Sequence, residues 1–260
     1  MQLFDRFPPR FLLPNAVTST SIVLGLLSLH TAATATSAEE LAQAAWMIMY
    51  TVLLDKLDGS VARAARASSE FGVQLDSFSD FLSFGVAPAF LLTRALPFFL
   101  PQLWGSGLRS VLLLAVGGLY AVCTALRLAK FNITTAHNHP RFFRGLPSTS
   151  SGGILASAFL THLQFGLPSQ WLSAAVGWML LHAVLMVSNV PQPKLHLGSN
   201  ALWRWTQILV VGTVYVVVPL NWMPVIPFAV SMLFTVGGFA YGVAHADEIL
   251  NYQEPETAEA

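Results

Sequence analysis

Apolar stretches of about 20 residues recur along nearly the whole chain, and this recurrence limits its fold more than any other feature. Segments of that length cross the hydrocarbon core of a bilayer as helices. The 260 residues are 54% hydrophobic and only 10% charged, whereas a soluble domain carries about 25% charged residues. Too little polar surface remains to coat a soluble globule. The sequence therefore predicts an all-α fold, a polytopic transmembrane helix bundle.

The spacing of the apolar stretches predicts about eight membrane helices. They are expected near residues 12–31, 41–63, 73–97, 107–130, 147–166, 171–189, 201–219 and 224–244. Because the connections between them are short, we expect a single integral membrane domain over residues 1–260. A short N-terminal segment, 1–10, and an acidic C-terminal tail, 247–260, should lie outside the bilayer.

The cations of the chain are distributed unevenly between the two sides of the predicted bundle. Of the 13 Lys and Arg residues, only Arg94 and Arg109 fall on one side. The positive-inside rule puts the other side, with both termini, in the cytoplasm. We therefore expect a multi-pass protein of the inner (cytoplasmic) membrane, if the source is bacterial. The formal net charge of zero gives no electrostatic reason to expect nucleic acid as a partner.

One short segment breaks the apolar pattern with four carboxylates: Asp55, Asp58, Asp76 and Asp80. The first two are three residues apart and the last two are four apart, so each pair shares a helix face. Carboxylates at membrane depth are costly and indicate function. Clustered carboxylates repel unless cations lie between them, and oxygen ligands favour Mg²⁺ or Mn²⁺, whereas the absence of Cys and His argues against zinc. Two such ions recur in phosphoryl chemistry.

The same segment reads D-x2-D-G-x2-A-R-x8-G-x3-D-x3-D from Asp55 to Asp80. This pattern resembles the signature of the CDP-alcohol phosphotransferase family, whose members are membrane-bound phosphatidyltransferases. The resemblance implies that Asp55, Asp58 and Asp76 ligate the metal ions, and that Asp80 completes the metal site and acts as the general base. Pro14-Asn15-x-x-Thr18 also resembles the nucleotide-facing start of the family. The CDP-binding residues that the resemblance implies are Thr18, Asp58, Gly59, Ala62, Arg63 and Gly72.

Within that family, the chain is most similar to the membrane-spanning phosphatidylserine synthases. The similarity covers roughly residues 12 to 195 and is carried by the segments 69–77, 79–88, 126–132, 143–148 and 186–191. It implies CDP-diacylglycerol and L-serine as substrates, and phosphatidylserine and CMP as products. Two positions depart from the subgroup: Lys130 stands where Arg is expected, and Thr149 where Pro or Ala is expected.

Free serine carries a carboxylate, which calls for a cationic partner, ideally an Arg. We expect Arg127, Asn132 and Arg144 to contact the acceptor, although the two arginines also fit the ordinary cationic bias of cytoplasmic connections. His137 and His139 lie in the same basic connection. No further ligands lie near them, so we interpret them as solvated side chains rather than metal ligands.

Other functions also fit parts of this pattern. Within the same chemistry, the acceptor could be choline, inositol phosphate or glycerol phosphate, and the donor could carry archaeal-type ether chains. The carboxylates could instead line a cation transport pathway, or be helix-end groups paired with Lys56, Arg63 and Arg66. Transport is disfavoured because carboxylates of transporters are usually spread over several helices. The family resemblance is also compatible with a homodimer.

Overall fold

The computed structural model describes residues 11–64, 69–134, 142–193 and 201–245, apart from the side chains of residues 58, 60–64, 134 and 201–203. Most of the described chain is helical. The helices are α1 (Leu12–Thr34), α2 (Ala38–Ala64), α3 (Glu70–Asp80), a π-helix (Phe81–Val86), α4 (Ala87–Phe99), α5 (Pro101–Trp104), α6 (Gly107–Thr134), α7 (Ser148–Gln164), a 3₁₀-helix (Ser169–Ser173), α8 (Ala174–Val187), α9 (Ala201–Val217) and α10 (Val225–Ala244).

The predicted helix bundle is confirmed. Each of the eight predicted segments coincides with one helix or with a continuous series of helices. Within the described residues, five segments are long and apolar enough to cross a membrane: Leu12–Thr34, Glu70–Phe99, Gly107–Ile133, Ser169–Val187 and Val225–Ala244. Of the other three predicted spans, α7 and α9 have 17 residues each, and α2 carries charged residues at both ends. These features fit a multi-pass membrane protein.

The long helices form a bundle with two distinct ends. At one end, which we call the carboxylate end, lie Asp55, Asp76 and Asp80. The starts of α1, α3 and α7 and the ends of α2 and α6 meet there. The opposite end holds the connections after α1, α4 and α7. At that end α2 begins with a capping box, in which the Ser37 hydroxyl accepts from the Glu40 amide at 3.2 Å and the Glu40 carboxylate accepts from the Ser37 amide at 3.2 Å.

The interior is built mainly from apolar faces of α2, α4, α7 and α8. Ile48, Leu91, Phe159 and Met179 are all buried there. Other large apolar side chains point outward, and examples at least 70% exposed are Leu108, Leu209 and Leu233. An apolar exterior around a packed interior is what a helix bundle surrounded by lipid requires.

A π-helix interrupts the third predicted span directly after Asp80. Pro88, two residues after the π-helix, has no N–H to donate to the carbonyl of Phe84 four residues earlier. The Tyr120 hydroxyl of α6 donates to that carbonyl instead, at 2.9 Å. It also contacts the Ser151 hydroxyl of α7 at 2.8 Å. The segment that carries Asp80 is thus fixed to two neighbouring helices.

A short two-stranded sheet lies at the carboxylate end, and the sequence did not indicate it. Strand β1 (Phe142–Arg144) pairs antiparallel with β2 (Pro191–Pro193), and Phe143 lies opposite Gln192. Gly145 follows β1 with a φ of +82°, a conformation that favours glycine. Its amide donates to the Val190 carbonyl at 2.8 Å. The sheet leads the chain into α7.

Candidate active site

Three of the four predicted metal-binding carboxylates meet at one point. Asp55 comes from α2, and Asp76 and Asp80 lie one turn apart on α3. One ligand oxygen from each lies within 4.8 Å of the others. In the part of the chain that the structure describes, this is the one group of three or more acidic, His or Cys side chains close enough to share an ion. Asp80 is buried, whereas Asp55 and Asp76 are partly exposed.

The first turn of α7 lies between the two helices that supply these carboxylates. The Ser148 hydroxyl donates to Asp80 Oδ2 at 3.2 Å, and the Thr149 hydroxyl donates to Asp55 Oδ2 at 3.2 Å. One turn further along α7, Gly152 lies so close to the π-helix that a Cβ there would come within 2.9 Å of the Phe84 Cα. The lack of a side chain at this position allows the close approach that brings Ser148 to Asp80.

Arg127 of α6 is joined to the carboxylates through Ser148. Its Nη1 donates to the Ser148 hydroxyl at 3.0 Å, and that hydroxyl in turn donates to Asp80. The guanidinium also lies over the Phe131 ring, 5.1 Å from its centroid, in a cation–π contact. The predicted acceptor-side arginine is therefore held in a fixed position one hydroxyl away from Asp80.

Asn132 connects the end of α6 to the helix that carries two of the carboxylates. Its side-chain amide donates to the Ser77 hydroxyl at 2.8 Å, and Ser77 is the residue after Asp76. A cavity of about 620 Å³ opens beside it, lined by Ser69, Glu70, Phe71, Val73, Gln74 and Asn132. The cavity lies along the first turns of α3 and beside the end of α6.

Thr18 and Gly72, two predicted CDP contacts, lie where α1 meets α3. The Thr18 hydroxyl is buried and donates to the Pro14 carbonyl of its own helix at 3.1 Å. The amide of Gly72 donates to the hydroxyl of Ser69, which caps the start of α3, at 3.0 Å. A Cβ at Gly72 would meet Asn15 Oδ1 at 3.6 Å. The face of α1 that holds Asn15 thus borders the carboxylate end.

The remaining predicted residues have different positions. Gly59 lies in the last part of α2, one turn beyond Asp55. The side chains of Asp58, Ala62 and Arg63 lie outside the described residues, as do the whole residues His137 and His139.

Arg144 is exposed on strand β1, opposite Pro191. Within the described residues its side chain makes no hydrogen bond or ion pair. Of the three predicted acceptor contacts, the structure therefore places Arg127 one hydroxyl away from Asp80, and Asn132 against Ser77, the residue after Asp76. It leaves Arg144 at the surface of the same end.

The chemistry of the three carboxylates fits a divalent cation. Two unit charges 4.8 Å apart repel by about 3 kcal/mol at an effective dielectric constant near 20. Among the described residues, the one cation within 4 Å of a cluster carboxylate is Lys56, whose Nζ lies 3.8 Å from Asp55 Oδ2 with a side chain that is 69% exposed. Such an exposed pair stabilises by at most about 1 kcal/mol. Arg127, one hydroxyl away from Asp80, also attracts the three carboxylates. Oxygens bound to one Mg²⁺ lie up to about 4.2 Å apart, so only a small closure of this cluster is needed.

A sequence comparison decides the family. The profile of the CDP-alcohol phosphatidyltransferases matches residues 11–190, more than half of the chain. The chain belongs to the CDP-alcohol phosphatidyltransferase family. The members of this family transfer phosphorus-containing groups, so the chain is such a transferase rather than a cation transporter.

Several relatives in this family carry a more specific name. A CDP-diacylglycerol–serine O-phosphatidyltransferase of Helicobacter pylori J99 is 34% identical over 187 residues, 72% of this chain and 73% of the relative. The protein of that name from Methanocaldococcus jannaschii is 33% identical over 178 residues, 68% and 72% of the two chains. An archaetidylserine synthase of Methanothermobacter thermautotrophicus is 35% identical over 150 residues, 57% of each chain.

Two residues of the candidate site were not among the predicted functional residues: Ser148 and Thr149. They lie 68 and 94 residues from the carboxylates to which they donate. Hydroxyl residues are frequent on packed membrane helices, so neither residue stands out in the sequence. The one signal in the sequence was the residue type at position 149, where Thr stands in place of the Pro or Ala that the resemblance leads us to expect.

Proposed function

We propose that the chain is a CDP-diacylglycerol–serine O-phosphatidyltransferase. It transfers the phosphatidyl group of CDP-diacylglycerol to the hydroxyl of L-serine and releases phosphatidylserine and CMP. The observation that carries this proposal is the cluster of Asp55, Asp76 and Asp80, with Arg127 one hydroxyl away. The names of the relatives support serine as the acceptor.

Asp80 is the general base of the proposed reaction. The serine hydroxyl attacks the phosphorus that carries the diacylglycerol, and its proton passes to an Asp80 carboxylate oxygen. The bond from that phosphorus to the bridging oxygen breaks, and CMP leaves with the oxygen. An alcohol is a poor nucleophile at neutral pH, so a positioned carboxylate is needed. The hydrogen bond from Ser148 fixes the orientation of Asp80.

Asp55, Asp58, Asp76 and Asp80 would hold the divalent cations, Mg²⁺ or Mn²⁺ and two in number. When bound, such ions neutralise the negative charge that develops on the phosphates. Thr18, Asp58, Gly59, Ala62, Arg63 and Gly72 form the proposed CDP-binding set. Arg63 supplies a further positive charge to the phosphates.

Arg127 and Asn132 recognise the acceptor. The guanidinium of Arg127 offers several donors, and only Nη1 is used by Ser148. Its other nitrogens can pair with the serine carboxylate in a charge-assisted contact. Binding the acceptor there brings its hydroxyl next to Asp80. Arg144, exposed on the same end, is the outer member of this set.

The test is CMP release by the purified protein with CDP-diacylglycerol and one acceptor at a time. Serine, choline, glycerol 3-phosphate and inositol phosphate form the panel. We expect only serine to support rapid release. If another alcohol is preferred by about tenfold or more, a difference of about 1.4 kcal/mol in barrier, serine is not the acceptor.

A second candidate function has the same acceptor, serine, but a different lipid donor. The similarity to an archaetidylserine synthase supports a donor with ether chains. Comparing kcat/KM for CDP-diacylglycerol and its ether-linked archaeal counterpart, at saturating serine, distinguishes the two. A clear preference for the ether lipid would assign the second candidate.

We further propose that the carboxylate end faces the cytoplasm across the inner membrane of a bacterial source. The described cations Lys56, Arg127, Lys130, Arg144 and Arg204 support this orientation. In a Cys123→Ala background, Glu70→Cys lies at the carboxylate end and Ser106→Cys at the opposite end, and both positions are exposed. An impermeant thiol reagent should label Glu70→Cys only in inside-out vesicles and Ser106→Cys only from the outside. The reverse labelling would contradict the orientation.

A further inference from the structure

Thr149 contacts the candidate metal site without belonging to the carboxylate cluster. Its hydroxyl donates to Asp55 Oδ2 at 3.2 Å, and its side chain is 9% exposed. A hydrogen bond to an ionised carboxylate in such a place is stronger than one between neutral groups, because water competes poorly for it. Thr149 therefore restrains the rotamer of one carboxylate.

Ser148 and Thr149 act on different helices because of their positions on α7. Consecutive residues of an α-helix point about 100° apart. Ser148 therefore faces α3 and donates to Asp80, while Thr149 faces α2 and donates to Asp55. One turn further on, Gly152 packs against Phe84 and Gly153 lies near Val52 of α2. The start of α7 is thus held between the two helices, at the level of the carboxylates.

This arrangement links two carboxylates that come from different helices. The oxygens of Asp55, Asp76 and Asp80 lie within 4.8 Å of one another, close to the separation that one ion requires. Asp76 and Asp80 share α3, so their spacing follows from the helix. The distance between Asp55 and that pair depends on how α2 is placed relative to α3, and α1 packs against both helices. The two hydroxyls of α7 bridge this gap.

We propose that Thr149 is a positioning residue that orients Asp55 for metal binding, and that the first turn of α7 thereby sets the geometry of the metal site. The inference rests on the proposed metal-dependent function. Groups that hydrogen-bond to metal ligands typically change metal affinity by about 10- to 100-fold when they are removed. A substitution of Thr149 tests the orientation of a metal ligand more specifically than one of Ser148, because Ser148 also contacts Arg127.

The experiment compares Mn²⁺ binding to purified full-length variants, with free Mn²⁺ followed by electron paramagnetic resonance and no substrate present. Thr149→Val keeps the shape and β-branching of the side chain but removes the donor. We expect its Mn²⁺ dissociation constant to rise by about tenfold or more. Thr149→Ser retains the hydroxyl and should bind Mn²⁺ nearly as well as the wild type. If Thr149→Val does not fold, Thr149→Ala removes the same donor.

Thr161→Val is the matched control on the same helix. Thr161 is also 9% exposed, and its hydroxyl donates to the Ser157 carbonyl at 2.7 Å, at the other end of α7. The Mn²⁺ affinity of the Thr161→Val variant should equal that of the wild type. Equal weakening in Thr149→Val and Thr161→Val, or an unchanged affinity in Thr149→Val, would overturn the positioning role.

Activity measurements separate this inference from the proposed function. In Thr149→Val the metal concentration for half-maximal CMP release should rise, while the KM for CDP-diacylglycerol at saturating metal stays near the wild-type value. If Thr149→Val binds Mn²⁺ more weakly than the wild type and serine fails as acceptor, the proposed function falls and the role of Thr149 stands. If serine is the acceptor and Thr149→Val binds Mn²⁺ normally, only the role of Thr149 falls.

Discussion

The two ends of the bundle use their polar groups in different ways. At the carboxylate end, side chains of different helices bond to one another, as Ser148 does with Asp80 and Asn132 with Ser77. At the opposite end, polar side chains mainly bond to the backbone at helix ends. Arg94 donates to the carbonyls of Ala32 and Ala33 at 3.4 and 3.3 Å, where α1 ends.

We propose that this difference separates residues that support chemistry from residues that support the fold. A cation at the end of a helix stabilises it through the helix dipole and the last carbonyls. Bonds that orient carboxylates from separate helices do little for any one helix but fix the positions of functional oxygens. We therefore expect substitutions at the carboxylate end to lower activity more than stability. Substitutions at the opposite end should do the reverse.

The largest expected effect tests the carboxylate end at Asp80. Asp80→Asn keeps the size of the side chain and an oxygen that can accept from Ser148, but it cannot take the serine proton. General-base catalysis contributes about 10²- to 10⁴-fold, and weaker metal binding adds to the loss. We expect kcat to fall by at least about 100-fold, with CDP-diacylglycerol affinity nearly unchanged. Turnover and donor affinity should be measured separately.

Ser83→Ala is the control for this variant. Ser83 is buried in the π-helix after Asp80, and its hydroxyl donates to the Ser21 carbonyl at 3.4 Å, away from the carboxylates. Its kcat should stay close to that of the wild type. If Asp80→Asn keeps more than about a tenth of wild-type kcat, Asp80 is not the base.

The second-largest expected effect concerns the two arginines of the carboxylate end. Arg127 is held by a hydrogen bond to Ser148, whereas Arg144 is exposed. Losing a charge-assisted hydrogen bond costs about 1.5–3 kcal/mol, so Arg127→Ala should raise the KM for serine by about 10- to 100-fold. An exposed charge contributes at most about 1 kcal/mol, so Arg144→Ala should raise it by no more than about fivefold. Steady-state kinetics over a range of serine concentrations at saturating donor gives both values. Equal effects would remove the distinction between the two arginines.

The smallest effect tests the opposite end. Arg94→Ala removes the two bonds to the end of α1, a loss of about 1 kcal/mol, which lowers Tm by roughly 2–4 °C in a chain of this size. Its kcat should not change. Thermal unfolding in detergent and CMP release measure the two quantities. A loss of activity without a loss of Tm would contradict the division between the ends.

The sequence predicted the helices well because hydrophobic length is a local signal. The segment predicted at 107–130 is α6, Gly107–Thr134, and the one predicted at 147–166 is α7, Ser148–Gln164. The family resemblance led us to expect Asp55 beside Asp76 and Asp80, whereas spacing alone places only Asp76 and Asp80 on one helix face. The third span was predicted as a single helix, whereas the π-helix (Phe81–Val86) divides it into α3 and α4.

The contacts of Thr149 and Ser148 could not be predicted from spacing. They join residues that are far apart in the chain, and they depend on the rotation of α7 about its axis. The two-stranded sheet was missed because each strand has only three residues, and β2 contains Pro191 and Pro193. Such short, proline-containing segments carry little strand signal. The roles of Thr18, Gly72 and Arg63 toward CDP remain predictions.

The most direct test of the central claim, that the carboxylates at one end of the bundle hold metal ions for phosphatidyl transfer to serine, is metal dependence. Purified protein is supplied with CDP-diacylglycerol and serine, and CMP release is followed in excess EDTA. Mg²⁺ or Mn²⁺ is then added beyond the capacity of the chelator. The account predicts that EDTA abolishes release and that either ion restores it. Full activity in excess chelator would contradict the account.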